Sequence, residues 1–157
     1  MSIFFVNQNK SFAEELNNGL VWSPKLAKNG IKNKGYSTMT KIKKGDFIIH
    51  SCDKKIQAIS ITKTDCYDAN KPSYKKGTGN SWNNDGYRVD TDYTVLDRAV
   101  DLANHRTWLK EHHSKDSAFT KNGTAKEQYM CTITDQHALY LLKEAIELQS
   151  TKKLKRF

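Results

Sequence analysis

The chain begins with an apolar run that changes abruptly to a polar one. Phe4, Phe5 and Val6 are aromatic or β-branched, as residues of buried strands usually are, and Asn7 and Gln8 follow directly. The pattern predicts a strand over the apolar positions, with side-chain amides at its end.

A short helix is predicted after this strand. Ser11 and Glu14 have the spacing of a capping box, in which each side chain bonds the backbone of the other residue. Gly19 can adopt the left-handed conformation that ends a helix. We therefore expect a helix over residues 12–18.

An extended segment with a tryptophan is predicted next. Trp22 and Ser23 precede Pro24, and the residue before a proline is held out of the helical region. We expect Trp22 to be exposed, so that a ring, a hydroxyl and the preceding amides converge on a planar ligand. A tryptophan in a small domain is more often part of the core, and that interpretation stays open here.

Three further strands are predicted, over residues 47–52, 56–63 and 87–93, and the second and third alternate between two faces. The second has two partly apolar faces, and the third places Tyr87 and Val89 on one face. A mostly antiparallel sheet buried on both faces, in a chain with few helices, indicates an α+β fold. We expect a small curved β-barrel flanked by short helices.

Residues 67–80 show no regular pattern and lead to Trp82. Irregular segments of this length in compact domains are usually functional or disordered. Trp82 stands among polar turn residues, which is an unusual setting for a core tryptophan. We therefore interpret Trp82 as the wall of a pocket.

The last third of the chain is predicted to be mainly helical. The apolar spacing favours a helix from Val95, with Asn104 as a cap for the segment that follows. A short strand is expected over residues 128–132. Thr134 begins a final helix, and the apolar stripe expected to pack on the sheet is Leu139, Leu142 and Ile146.

The length of 157 residues, 18.0 kDa in mass, suits one domain with its own core. We assign residues 1–150 to this domain and the basic stretch 151–157 to a tail or linker. Cys52, Cys66 and Cys131 lack the spacing of a zinc site or a disulfide framework. With no recognisable secretory signal or membrane span, we expect a cytoplasmic protein without a membrane partner.

The formal net charge of +9 and the pI near 9.4 indicate which class of partner the protein binds. Cationic charge of this size attracts polyanions, so nucleic acid is the leading partner class. A lysine-rich composition that merely reflects AT-rich coding is the alternative. The expected phosphate-binding residues are Lys25, Lys28, Lys32, Lys34, Lys75 and Lys76.

Familiar signatures of catalysis do not occur in the sequence. It contains no GxGxxG, P-loop, GxSxG or HExxH pattern. Asp90 and Asp92, together with His105, His112 and His113, leave a small metal-dependent nuclease as an alternative, although their spacing matches no common metal motif. We therefore predict a binding protein that is not an enzyme, with no catalytic residue, metal or cofactor.

The segments that together carry a family resemblance are Phe4-Phe5, Trp22-Ser23, Gly45-Asp46, Ile48-Ile49-His50-Ser51, Trp82 and Gly86-Tyr87-Arg88-Val89-Asp90. With them the chain resembles the EVE family of the PUA-like superfamily, to which YTH domains are related. The resemblance runs from residue 3 to about residue 148. Such modules stand at the N-terminus of modification-dependent restriction proteins, fused to HNH or McrB-type GTPase partners.

The resemblance implies a PUA-like barrel that flips a modified base out of double-stranded DNA into an aromatic pocket. The expected base is 5-methylcytosine or 5-hydroxymethylcytosine, and N6-methyladenine in DNA or RNA is the alternative. The chain would be the specificity module of a restriction system, with an effector nuclease or GTPase domain in the same protein or complex.

The resemblance also implies which residues form the pocket. Trp22, Ser23 and Trp82 match the family's pocket residues. The candidates for hydrogen bonds to the base edge are Asn7, Gln8, Ser51 and Asp90, and those for a third wall are Tyr36 and Tyr87.

Overall fold

The computed structural model describes residues 1–74 and 84–154, with side chains up to residue 149. Trp82, Lys75 and Lys76 lie outside the described residues. What the sequence predicts for these three residues therefore stays a prediction.

One curled sheet forms the body of the described protein. Its strands are β1 Ile3–Asn7, β2 Leu20–Pro24, β3 Phe47–Cys52, β4 Lys55–Thr62, β5 Tyr67–Asn70, β6 Asp85–Asp101 and β7 Met130–Thr132. The helices are α1 Phe12–Asn18, α2 Lys34–Ser37, α3 Arg106–Glu111 and α4 Asp135–Leu154. The strand order is β2-β6-β4-β3-β1-β7, and β5 pairs with β6. Strands β1 and β3 are parallel and the other pairs are antiparallel.

The sheet is buried on both faces, as predicted. Phe5 and Ile49 pack in the cluster that includes Leu141 of α4, whereas Phe4 and Val6 pack in a second cluster with residues of β2, β3 and β6. Successive residues of β1 therefore enter different cores. The predicted α+β fold with a small curved barrel is confirmed, although α4 is longer than the short helices expected.

Helix α1 has the predicted bounds, but its start differs from the prediction. Gly19 has φ 65° and its N–H bonds the carbonyls of Glu15 and Leu16, as expected for a left-handed stop. Ser11 makes no capping bond, and its hydroxyl donates to the carbonyl of Gln8 instead. The predicted capping box is therefore wrong, because the Ser11 hydroxyl already has the Gln8 carbonyl of the preceding turn as its partner.

The helix predicted from Val95 is also wrong, since β6 continues to Asp101. Val95 and Val100 pair with Ala58 and Ile56 of β4, with a bulge between these two β4 residues. Pairing with a distant strand thus overrides the local helical spacing. Asn104 does not cap α3, and the Asp101 side chain accepts a hydrogen bond from the Ala103 N–H.

The apolar stripe predicted for α4 needs correction. Leu139 and Ile146 are each 65% exposed, whereas Ala138, Leu141 and Ala145 face the core. Leu142 of the predicted stripe does pack against this core, so the inward face of α4 combines leucines and alanines. Of the helices in the described ranges, none is both long and apolar enough to cross a membrane.

Candidate functional site

Trp22 lies on β2, at one end of the strand order, with β6 as its neighbour. Its indole Nε1 donates to the carbonyl oxygen of Ala69 at 3.0 Å, and its backbone N–H donates to the hydroxyl of Tyr129 at 3.2 Å. The residue is 3% exposed, contrary to the exposed ring we expected. One hydrogen bond therefore orients the indole, and the other holds the backbone of this edge strand.

Gly86 provides the surface on which the indole rests. A Cβ at this position would overlap the six-membered ring of Trp22 and the carbonyl oxygen of Ser23. A larger residue at position 86 would therefore displace the tryptophan. The turn-like sequence before Tyr87 thus has a packing role that the sequence pattern did not reveal.

Trp22 and Ser23 project to opposite faces of β2, because successive strand residues alternate. Ser23 pairs with Tyr87 across the sheet and is fully buried, and its hydroxyl has no hydrogen-bond partner among the described residues. The structure therefore separates the ring and the hydroxyl that we expected to converge.

A buried polar cluster lies between β2 and the strands β1 and β7. Glu15 of α1 is 0% exposed. The hydroxyl of Tyr129 lies 2.7 and 2.6 Å from its two carboxylate oxygens, and the side-chain amide of Gln8 donates to Oε2 at 2.9 Å. Because Tyr129 also receives the Trp22 N–H, one hydroxyl links the tryptophan backbone to a buried carboxylate.

The cluster continues into the barrel through His50. The Thr91 hydroxyl donates to Ser60, whose oxygen lies 2.6 Å from His50 Nε2, and His50 Nδ1 lies 2.8 Å from the side-chain oxygen Oε1 of Gln8. Burial lowers the pKa of His50 to about 3, so the ring is neutral at pH 7. A continuous chain of hydrogen bonds therefore runs from Thr91 through Ser60, His50 and Gln8 to Glu15.

Gln8 is thus committed to the interior, with its amide also donating to the hydroxyl of Tyr93 at 2.9 Å. Asn7 is engaged elsewhere, since its side-chain amide donates to the carbonyls of Lys126 and Gln128 at 2.7 and 3.1 Å. Ser51 is buried, and its carbonyl accepts the Gln8 N–H. Among these three predicted residues, Gln8 is the one whose side chain joins the cluster around Glu15.

The other predicted edge and wall residues occupy separate places. Asp90 accepts hydrogen bonds from Arg88 and from the Tyr67 hydroxyl, each at 2.8 Å. Tyr87 packs against the second cluster, which contains Phe4 and Val6, and Tyr36 of α2 is half-buried. The carboxylate expected to read a base is therefore already held by a cation and a phenol.

The lysines after β2 fall into two groups. Lys25 lies 3.0 Å from Asp68 and 3.3 Å from Asp85, and these carboxylates raise its pKa, with Asp68 the larger cause. Lys28, Lys32 and Lys34 are exposed, and they are therefore the described lysines of this segment best placed to meet phosphate.

The residues of the nuclease alternative have other partners. Asp92 lies 3.5 Å from Lys63, His105 Nδ1 lies 2.8 Å from the hydroxyl of Tyr140, and His112 stacks on Trp108. Within residues 1–74 and 84–154 the structure brings together no group of histidine, cysteine and acidic side chains that could hold a metal ion.

Sequence reasoning missed Glu15, Tyr93 and Tyr129, which build the cluster beside Trp22. The sequence does contain a signal for Glu15. In the predicted helix over residues 12–18 this acid lies three positions after Phe12 and directly before Leu16, which places it on the apolar side of the helix. An acid at an inward position of an amphipathic helix indicates a buried hydrogen-bonded role. Tyr129 carried no comparable local signal.

Comparison with known proteins shows which fold this is. No family model and no curated protein sequence matches the chain. The human THYN1 protein, solved in complex with 5-methylcytosine-containing DNA, is 10% identical with a TM-score of 0.58, over 92% of this chain and 98% of that one. A protein from Leishmania major is 13% identical with a TM-score of 0.59, over 95% and 97%.

A third structure is the YTH domain of the Zygosaccharomyces rouxii MRB1 protein, solved in complex with N6-methyladenosine RNA. It is 10% identical with a TM-score of 0.51, over 92% of this chain and 86% of that one. Identities this low establish architecture alone. The chain therefore has the PUA-like fold of EVE and YTH domains.

Proposed function

We propose that this protein is a reader of modified bases in nucleic acid. Its preferred ligand is double-stranded DNA in which 5-methylcytosine or 5-hydroxymethylcytosine is flipped out against Trp22. The observation that supports this most directly is the indole on the edge strand, which donates to the carbonyl of Ala69 and packs on Gly86. The fold it shares with THYN1, which was solved with 5-methylcytosine-containing DNA, adds to that support.

The energetics require more than one contact. Flipping costs a few kcal/mol, and stacking on an aromatic side chain returns about 1–3 kcal/mol per base. The remainder must come from the phosphates and the base edge. We assign phosphate binding first to the exposed Lys28, Lys32 and Lys34, and propose Lys75 and Lys76 for the same role.

Trp82 is proposed as the second wall of the pocket. Trp22 is 3% exposed, so we propose that its ring becomes accessible to a base only when neighbouring side chains rearrange. Ser23, Ser51, Tyr36 and Tyr87 stay candidates for contacts with the base. We propose that Asn7, Gln8 and Asp90 support the residues that contact the base, because their own side chains have protein partners.

A panel of oligonucleotides tests this proposal. Duplexes identical except for one cytosine, 5-methylcytosine, 5-hydroxymethylcytosine or N6-methyladenine, and an RNA strand with N6-methyladenosine, are titrated by fluorescence anisotropy at fixed salt. We expect tighter binding to a modified cytosine than to cytosine. Preference for the methylated adenine would favour the alternative reader, and equal binding to all members would overturn the proposal.

We further propose that the reader serves as the specificity module of a modification-dependent restriction system, with an HNH-type nuclease or McrB-type GTPase as effector. By itself the chain is expected to leave methylated plasmid DNA intact in Mg²⁺ or Mn²⁺. Cleavage that disappears in Asp90→Asn or Asp92→Asn would instead support the nuclease alternative.

A further inference from the structure

Resting on the proposed function, we propose that Ile31 is a wedge that fills the space left in duplex DNA by the flipped base. The residue lies at the tip of a small hairpin, residues 26–32, which follows β2. The geometry of this hairpin, its place in the fold, its exposed apolar tip and the charge around it each support the assignment.

Backbone hydrogen bonds give the hairpin a defined shape. Leu26 and Lys32 pair as an antiparallel bridge, and the Ala27 N–H donates to the carbonyl of Ile31 at 3.0 Å. The Gly30 N–H donates to the carbonyl of Ala27 at 2.9 Å, and Gly30 has φ 77°. A three-residue loop that ends with a left-handed glycine is a common hairpin connection. Ile31 therefore has a fixed place, directly after the turn.

The first end of the hairpin is attached to the sheet beside Trp22. Pro24 pairs with Gly86, and the Trp22 ring packs on the same glycine. The next residue, Lys25, donates its backbone N–H to the carbonyl of Asp85 at 3.2 Å. The hairpin therefore leaves the sheet at the place where the proposed base-stacking ring lies.

The second end of the hairpin leads directly into α2. The side chain of Asn33 accepts the Gly35 N–H at 2.8 Å and caps this helix. A Cβ on Gly35 would lie 2.8 Å from the backbone nitrogen of Tyr129, so α2 packs closely on the segment before β7. A wedge must keep its position against the stacked bases, and a hairpin held at both ends meets this requirement.

The tip of the hairpin is apolar, exposed and surrounded by positive charge. Ile31 is 62% exposed, and a Cβ on Gly30 would have no atom within 4 Å. A single exposed apolar residue is common on protein surfaces and indicates no partner by itself. Here, however, the sequence contains no acidic residue from position 16 to position 45, and the exposed Lys28 and Lys32 flank the isoleucine. An apolar tip between cations is complementary to bases between phosphates.

The structure of duplex DNA explains why a reader that flips a base needs such a residue. Removing one base from the helix leaves a space between the neighbouring base pairs, and these pairs must be kept from closing it. Proteins that distort DNA insert apolar side chains, isoleucine among them, between base steps. The lysines beside Ile31 would hold the phosphates of the flanking nucleotides.

An anionic lipid surface is the other partner that an apolar tip among lysines could suit. DNA is favoured here because the hairpin begins next to the ring that is proposed to receive the base. Vesicles of phosphatidylserine and phosphatidylcholine therefore form a separate part of the test.

The test titrates Ile31→Ala, by fluorescence anisotropy at fixed salt, with three forms of one DNA sequence. These are the duplex with one 5-methylcytosine, the same duplex with cytosine, and the methylated single strand. We expect affinity for the methylated duplex to fall by about tenfold, because alanine buries less apolar surface in the gap. Affinity for the other two forms should stay unchanged, since the plain duplex keeps its base stacked and a single strand has no gap between base pairs.

Two further variants serve as matched controls. Ile31→Leu keeps the apolar volume and should retain the affinity of the unmodified protein for the methylated duplex. Ile146→Ala makes the same change at an isoleucine of α4 that is 65% exposed, and should alter none of the three affinities. Thermal unfolding of each variant verifies that it is folded at the titration temperature, as expected for substitutions of exposed side chains.

Several results would overturn the wedge. Ile31→Ala could keep full affinity for the methylated duplex, or it could lose affinity equally for duplex and single strand, which would make Ile31 a direct contact of the base or backbone. Loss of vesicle binding with unchanged affinity for DNA would assign the hairpin to a lipid surface. If no variant binds the single strand, the two duplexes decide, because an equal loss on both contradicts the wedge and a loss on the methylated one alone supports it.

The two proposals can fail separately. If the unmodified protein does not distinguish 5-methylcytosine from cytosine or N6-methyladenine from adenine, the proposed function fails. If it distinguishes them while Ile31→Ala and Ile146→Ala bind the modified duplex equally well, the role of Ile31 alone fails.

Discussion

At the residue scale, Trp22 lies in the structure as a buried residue, and the wall of a base pocket is the role that we propose for its ring. It is buried like a core tryptophan, yet its hydrogen bonds to Ala69 and Tyr129 and its contact with Gly86 fix it at a barrel edge. The structure thus bears out the burial expected of a core tryptophan, and the pocket wall stays a proposal. A ring that is already ordered loses little conformational entropy when a base stacks on it.

Replacing this ring should remove recognition of the modified base. Trp22→Ala deletes the stacking surface, worth about 1–3 kcal/mol per base, and we expect the preference for 5-methylcytosine over cytosine to disappear. Affinity is measured on paired duplexes at one salt concentration. Trp22→Phe serves as the control, since it keeps an aromatic face and should retain part of the preference.

The stability of the Trp22 variants must be measured beside their binding. A large buried side chain replaced by alanine costs about 3–5 kcal/mol of unfolding free energy. Thermal unfolding followed by circular dichroism shows whether the variant is folded at the titration temperature. A folded Trp22→Ala protein with full preference for the modified base would contradict the role of the ring.

His50 should make stability depend on pH. Its pKa is lowered by burial from 6.5 to about 3, so the unfolded chain binds the proton more readily between these values. The stabilisation is therefore complete above pH 6.5 and is lost as the pH falls towards 3. We expect a slope of about 1.4 kcal/mol per pH unit from this residue within that window.

Urea unfolding of the protein and of His50→Gln between pH 7 and pH 4.5 checks this expectation. The variant lacks the titrating ring, so its unfolding free energy should fall less steeply with acid. Equal slopes for both proteins would show that His50 is not a buried neutral group.

At the element scale, the segment after β2 carries the charge suited to phosphate. Lys28, Lys32 and Lys34 are exposed there, whereas Lys25 is held between Asp68 and Asp85. A cation already paired with two carboxylates gains less from a phosphate than a solvated one. The sequence prediction treated these lysines alike, because the acids that separate them come from other strands.

Neutralising the exposed lysines should weaken binding without changing specificity. In the triple variant Lys28→Gln, Lys32→Gln and Lys34→Gln, affinity for modified and plain duplexes should fall by the same factor. The slope of log affinity against log salt should decrease in magnitude by up to about 0.9 for each phosphate that the variant no longer neutralises.

Lys25→Gln is the control for this set. Because Lys25 has two acidic partners, its replacement should change the salt slope less than replacement of an exposed lysine. A triple variant with an unchanged salt slope would place the phosphate contacts elsewhere on the protein. Titrations at four or more salt concentrations give the slopes.

At the scale of the whole molecule, the barrel places β2 and β7 at the two ends of the strand order. Glu15, Gln8 and Tyr129 lie between these ends and connect α1, β1 and the segment before β7. The candidate site therefore lies between the two end strands, where hydrogen bonds between side chains take the place of pairing between strands. Buried polar groups are compatible with a stable fold in this region because they hydrogen-bond one another.

The division into a domain and a tail leads to a prediction at this scale. Residues 1–150 should fold alone and keep the preference for a modified base, because the core residues and the Glu15 cluster lie within them. Removing the basic stretch should reduce affinity for modified and plain DNA equally. Titration of the shortened chain with the same duplexes measures both effects.

Much of the architecture could be predicted because its signals are local. The strands β3 and β4, the span of α1 and the extended Trp22 segment depend on neighbouring residues, and all were found in the structure. The helix from Val95 was wrong since β6 obtains its partner from β4, far away in the chain. The face of α4 was wrong in part, since Leu142 packs against the core whereas Leu139 and Ile146 are exposed.

By itself, the sequence determined most of the strands, the span of α1, the barrel class and the excess of positive charge, because each depends on composition or on spacing within a few residues. Tertiary structure alone decided that Tyr129 and Gln8 bond Glu15, that Gly86 supports the Trp22 ring, and that Asp90 has the Tyr67 hydroxyl as a partner. The physical reason is distance along the chain: Tyr129 and Glu15 are 114 positions apart, and only folding brings such groups into hydrogen-bond contact.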